Sequence, residues 1–159
     1  MGLLDRISAR LRPAVLRRII NIYPPYLGAG VRVERIASDW REILVSMDLR
    51  WYNRNYVGTH FGGSLYAMVD PFFMLMLLHL LGEDYIVWDR SSRIDFEAPG
   101  RSKVWARFAI DDALLGEIRS ATAGGDKMLP TLNTSVVDGG GGVVARVAKT
   151  IYIRRKKGR

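Results

Sequence analysis

One stretch, Asn53-Arg54-Asn55-Tyr56-Val57-Gly58-Thr59-His60-Phe61-Gly62-Gly63, followed by Asp70, holds most of the residues able to do chemistry. A carboxylate in an apolar run must be neutral, paired or hydrogen-bonded. Asp70 lies in such a run, which suits a general base or a nucleophile. Asp70 followed by Pro71 also suits an N-cap with proline at the first helical position. On that second reading the helix begins at Pro71, and residues 64–69 form a separate turn. Gly62 and Gly63 precede a helical pattern. Without side chains they let a ligand approach the backbone, and free amides there can face an anion or a growing oxyanion. A plain turn is the simpler reading. His60 could orient a carbonyl or a water, or be a neutral ring bonded within its loop. Asn53 and Asn55 can cap the loop or bond a ligand.

Other chemistries are excluded. There is no cysteine, so thiol nucleophiles, disulfides and thiolate metal sites are out. The two histidines, His60 and His79, are too far apart to share one helical turn, so no metal spacing exists. No metal and no cofactor is expected. The glycine run 139–142 lacks the Gly-Lys-Ser/Thr of a phosphate loop. His79, inside Leu-Leu-His-Leu-Leu, reads as a core or interface residue. The four tryptophans read as core or interface anchors.

The elements that must position these residues follow from periodicity. Val31 to Ile36 is a short strand. In the next segment Ile43, Val45, Met47, Leu49 and Trp51 alternate with Ser46, Asp48 and Arg50, as in a half-buried strand. After the loop comes an apolar helix from Ser64 to about Leu81, with Gly82 as a stop. Strands are expected over 85–96, 103–110, 128–137 and 143–154, with a short helix near 111–121 capped by the Asp111-Asp112 pair. One apolar helix with about six strands, each with one polar side, gives an α+β fold with a curled antiparallel sheet. The helix is apolar nearly all round. One sheet cannot cover it, so self-association is expected.

The net charge of +8 is unevenly spread. Residues 1–20 hold five arginines and one aspartate, and residues 146–159 hold seven basic residues and no acid. The intervening body holds twelve basic and fifteen acidic residues, which disfavours nucleic-acid binding. The division is a basic amphipathic helical segment over 1–23, one domain over 24–155 and a basic tail over 156–159. The first segment docks on the domain or makes weak contact with an anionic membrane through residues 1–20. The apolar run Leu65–Leu81 contains Asp70 and is short for a bilayer span, so it reads as a buried helix. A cytoplasmic or peripheral-membrane location is expected.

The run Gly58-Thr-His-Phe-Gly-Gly-Ser-Leu-Tyr-Ala-Met-Val-Asp-Pro-Phe72, with this element order, resembles the hotdog-fold acyl-CoA thioesterases. It is most similar to an uncharacterised branch related to the phenylacetate-pathway enzymes. The resemblance covers roughly residues 28–155. It implies a central helix wrapped by the sheet, and a homodimer or tetramer whose sites lie between the glycine loop of one subunit and the helix of the other. In that family an aspartate follows the second glycine by seven residues, as Asp70 follows Gly63. Asp70 thus takes the catalytic carboxylate position, and Gly62 or Gly63 the amide that polarises the thioester carbonyl. His60, Asn53 and Asn55 fall near the remaining catalytic positions. Phe61, Tyr66, Arg54 and Arg93 become substrate-binding candidates, the arginines for the phosphates of coenzyme A.

The expected function is hydrolysis of a fatty or aromatic acyl-CoA thioester. Phe61 stands where the relatives carry histidine, and Pro71 follows the aspartate. These departures motivate the alternative of a non-catalytic acyl-CoA or lipid binder. A membrane-associated interaction protein is the third reading.

Overall fold

The computed structural model describes residues 12–156. Helix α1 (Pro13–Asn21) and helix α2 (Pro24–Ala29) each open on proline, whose fixed φ and missing amide suit the first turn. Gly30 ends α2 at a φ of 78°, a left-handed conformation. A Cβ there would also sit 2.5 Å from Asn53 Nδ2. Strands β1 (Val31–Ile36) and β2 (Glu42–Met47) follow, then the loop and two helices, α3 (Gly62–Ala67) and α4 (Phe72–Leu81). The remainder is β3 (Tyr85–Phe96), β4 (Val104–Ala109), α5 (Asp112–Ala121), β5 (Lys127–Met128), β6 (Thr131–Asp138) and β7 (Val143–Arg155).

All strand pairs are antiparallel, in the order β1-β2-β4-β6-β7-β3. The two-residue β5 pairs with the end of β7, beyond the reach of β6. Pro130 lies between β5 and β6 and cannot donate to a ladder, which explains why one expected strand is split in two. The seven-stranded sheet and the helical stretch it covers make a hotdog fold, α+β as expected.

The core forms where α4 meets the sheet. Phe72, Phe73, Met76 and Leu77 are buried, and the rings of Phe72 and Phe73 each lie 5.1 Å from that of Phe108 on β4. Inward positions of β1, β2, β4 and β7 complete the core. Met74, Leu75, Leu78, Leu80 and Leu81 on the rest of α4 are only partly buried. The stretch Gly62–Leu81 is apolar and long enough to cross a bilayer by length and composition, but half of its most apolar window is buried inside the protein.

Two expectations fail locally. β2 ends at Met47, and Trp51 is 83% exposed instead of lying on the buried face. The continuous helix over 64–81 is divided too, in agreement with the alternative of a helix starting near Pro71, except that the segment before the break is a helix and not a turn. Pro71 has no amide to donate, and residues 68–71 separate α3 from α4. Helix α1 packs through Leu16 and Ile20, and the Asn21 side chain bonds both the amide and the carbonyl of Val33.

Candidate active site

Asp70 sits at the break between α3 and α4. Its side chain does not cap α4, whose N-cap is Pro71 without a side-chain hydrogen bond. Instead Oδ1 accepts from Nζ of Lys149 on β7. The Asp70 side chain is 42% exposed, whereas the Lys149 side chain has no exposure. The Asp70 carbonyl accepts from the Tyr26 hydroxyl of α2. Sheet, break and α2 thus converge on one residue.

Lys149 has a second partner. Its Nζ lies 3.0 Å from Oδ2 of Asp89 on β3. Alternation places Asp89 on the same side of β3 as buried Tyr85 and Val87. It places Lys149 in line with buried Ala145, Val147, Ile151 and Ile153 on β7. The Tyr66 ring of α3 lies 5.8 Å from the ammonium. One cation therefore serves two carboxylates in a largely dry setting.

The electrostatics follow. Burial, opposed by Lys149 and aided by the charge of Asp70 and a hydrogen bond to it, raises the pKa of Asp89. Burial alone would lower that of Lys149, but the hydrogen bonds to Asp70 and Asp89 outweigh it, and the pKa rises. The Tyr26 phenol is pushed far above its usual range by burial first and by the charge of Asp70 next. It is a neutral donor at any ordinary pH. Asp89 Oδ1 is buried with no hydrogen-bond partner among the described residues.

The loop residues are placed differently. Asn53 is buried, and all its polar capacity goes to the backbone. Nδ2 donates to the carbonyls of Ala29 and Asp48, and Oδ1 accepts from the Arg50 amide. Asn55 turns the loop on itself, accepting from the amides of Val57 and Thr59 and donating to Thr59 Oγ1 and the His60 carbonyl. His60 is buried beside Gly100. Its Nε2 lies 2.8 Å from the Ser102 carbonyl, so Nε2 carries the proton, and Nδ1 has no partner among the described residues. Burial lowers its pKa, with the Ser102 bond acting in opposition.

Gly62 and Gly63 open α3, so their amides are donors without an acceptor inside the helix. Two exposed rings lie close: a Cβ on Gly62 would stand 3.1 Å from Phe96, and one on Gly63 would stand 2.4 Å from Phe61. Gly63 and Asp70 lie at opposite ends of α3. α3 ends at Ala67 and Asp70 lies in the turn beyond it, so a helix of about 9 Å and that turn separate the amides from the carboxylate within one chain. Tyr66 is 38% exposed between them. Arg54 is exposed, its backbone bridged to His60. Arg93 is exposed on β3 and pairs with Asp95 across 2.9 Å. Three open cavities in the structure are lined by residues other than Asp70. Among the described residues no cluster of three or more His, Asp or Glu side chains is placed to hold a metal.

The family model of a domain of unknown function, DUF4442, matches residues 12–153. The chain belongs to this family. No curated protein matches it. Solved structures do. A Pseudomonas aeruginosa protein of unknown function, described as a probable thioesterase, is 17% identical, with a TM-score of 0.69 over 96% of this chain and 94% of its own. A protein of unknown function from Chlorobaculum tepidum is 16% identical, with a TM-score of 0.69 over 96% of each chain. A Haemophilus influenzae thioesterase is 14% identical, with a TM-score of 0.64 over 91% of this chain and 92% of its own. At these identities the likeness establishes the fold that this DUF4442 chain shares with them.

Sequence reading passed over Lys149, Asp89 and Tyr26. By composition Lys149 belongs to the basic end of the chain. Its signal was available: it interrupts an alternating apolar face, where a lysine must find a partner. Asp89 carries the same signal on β3. Tyr26 carries none.

Proposed function

We propose that this DUF4442 protein hydrolyses an acyl-CoA thioester, with Asp70 as the residue that activates water. The carrying observation is the placement of Asp70: a carboxylate released from helix capping, held by buried Lys149, with its backbone carbonyl fixed by the Tyr26 hydroxyl, yet open to solvent over 42% of its side chain. The thioesterases among its structural neighbours favour the same reading. So does the resemblance of residues 58–72 to the phenylacetate-pathway branch.

The reaction follows from the parts. Asp70 takes a proton from water as the water oxygen attacks the carbonyl carbon. The Gly62 and Gly63 amides stabilise the oxyanion. The C–S bond breaks, the thiolate of coenzyme A leaves with the proton, and the free acid remains. Lys149 fixes the carboxylate and cannot itself reach solvent. The apolar face of α4 and the rings of Phe61 and Tyr66 suit a fatty or aromatic acyl chain, and Arg54 and Arg93 suit the phosphates of coenzyme A.

Because the amides and Asp70 of one chain lie at opposite ends of α3, the site needs a second copy. Strand β3 is the terminal strand of the sheet, twelve residues long and, among the described residues, paired on one side only. Pairing two such edges would continue the sheet, cover the open edge and bring the glycine pair of one subunit toward Asp70 of the other. A cytoplasmic homodimer is the expected form.

A second reading, acyl binding without turnover, is favoured by the Phe61 and Phe96 rings lying against the two glycines. Release of free coenzyme A from short-, medium- and long-chain and aromatic acyl-CoA esters separates the two. The hydrolase reading requires release from at least one. Saturable binding with no release supports the binder.

A further inference from the structure

Helix α1 carries two apolar lines, and only one is covered. Leu16 and Ile20 are buried against the domain. Val15, Ile19 and Ile22 are 41%, 46% and 70% exposed. At helical spacing these three form one narrow stripe, and Arg12 and Arg18 flank it on opposite sides. Both arginines are exposed and have no ion pair among the described residues. Past the helix lies a surface of mixed polarity, where Arg32, Asp48 and Arg50 stand beside apolar side chains. Leu27, Trp51 and Tyr52 line an open cavity of about 500 Å³ that Asn21, the last residue of α1, also lines. Leu27, Trp51 and Tyr52 are 55%, 83% and 46% exposed.

We propose that this face docks on an anionic lipid bilayer. An exposed apolar stripe bordered by unpaired cations is what an interfacial helix presents: the stripe enters the acyl boundary and the arginines meet the headgroups. Exposed tryptophan and tyrosine suit the same depth, since one end of each ring is apolar and the other polar. Charge decides between occupants. A second copy would set arginine against arginine, whereas an anionic surface complements them. The preceding sequence, outside the described residues, keeps the same composition, with Arg6 and Arg10 among Leu3, Leu4 and Ile7. This inference does not depend on the thioesterase reading.

Flotation of the full chain with phosphatidylcholine vesicles, with and without phosphatidylglycerol, tests it. The protein is expected to float with the anionic vesicles, to stay behind with the neutral ones and to be released by salt. Replacing Arg12 or Arg18 by alanine should weaken binding about fivefold each. The double variant Ile19→Glu, Ile22→Glu should abolish it, with an unchanged melting curve because both side chains are exposed. The milder Ile19→Ser, Ile22→Ser pair guards against a folding defect. Three results would overturn the proposal. They are absence of flotation with anionic vesicles, equal flotation of the parent and the Ile19, Ile22 variants, and a change in oligomer mass instead of vesicle binding in those variants. The last would make the face a self-association surface.

Discussion

Nζ of Lys149, with no solvent exposure, lies 3.0 Å from Oδ2 of Asp89 and also donates to Asp70. Two carboxylates therefore depend on one buried cation. Lys149→Met should leave both carboxylates without their partner and destabilise the fold by about 3 kcal/mol, as when one member of a buried pair is removed. Chemical denaturation measures this. Adding Asp89→Asn to Lys149→Met should recover part of the loss, because one uncompensated charge is gone. Additive losses would contradict the network.

The same network sets a pH dependence. Asp89 has a raised pKa in the folded chain, so the native state holds its proton more tightly than the unfolded state does. Stability from this group is present in acid and is lost as pH rises from 3.8 through the higher folded value. Asp89→Asn should remove that decline. Lys149, also raised, contributes stability through neutral pH and loses it above about 10.5. Denaturation midpoints of parent and Asp89→Asn across acid pH provide the comparison.

His60 behaves oppositely. Burial lowers its pKa, so the unfolded state takes the proton first and stability falls as pH drops below 6.5. His60→Gln can keep a donor to the Ser102 carbonyl without titrating. Its stability should be flat across that window, and a slope equal to the parent's would contradict the assignment.

Asn53 makes three hydrogen bonds to backbone groups while buried. Asn53→Ala strands those groups and should cost about 2–3 kcal/mol of stability. Thermal or denaturant unfolding checks this. A loss of hydrolysis with unchanged stability would instead give Asn53 a role at the substrate.

A shared site has its own signature. The chain should sediment as a dimer, and co-expressed Asp70→Asn and Gly63→Val chains should yield mixed dimers more active than either variant alone. A monomer in solution, or no gain on mixing, would rule out a site built across β3.

Much of the fold was legible in the order and type of its segments, even where, as in β3, alternation is less clean. β1 and β3 have the expected bounds, and Asp111 caps α5 through the Leu114 amide as its position before the helix suggested. The breaks were harder. Pro71 and Pro130 interrupt elements that hydropathy reads as continuous, since period alone does not register a missing amide. Trp51 misled because aromatic bulk suggests burial, yet its strand stops four residues earlier. At the site, the asparagines beside the glycine motif are prominent in sequence, but in the structure they bond the backbone and, for Asn55, the Thr59 hydroxyl as well. Lys149 and Asp89, sixty residues apart in the chain, become partners only once β3 pairs with β7.

The central claim concerns the Asp70 carboxylate, and its most direct test is coenzyme A release by the parent and by Asp70→Asn. Asparagine keeps the size of the side chain and an oxygen for Lys149 but cannot accept a proton from water. The expected result is an intact, correctly folded dimer whose turnover on the best acyl-CoA falls about 10²- to 10⁴-fold. Parental turnover in Asp70→Asn would contradict the account.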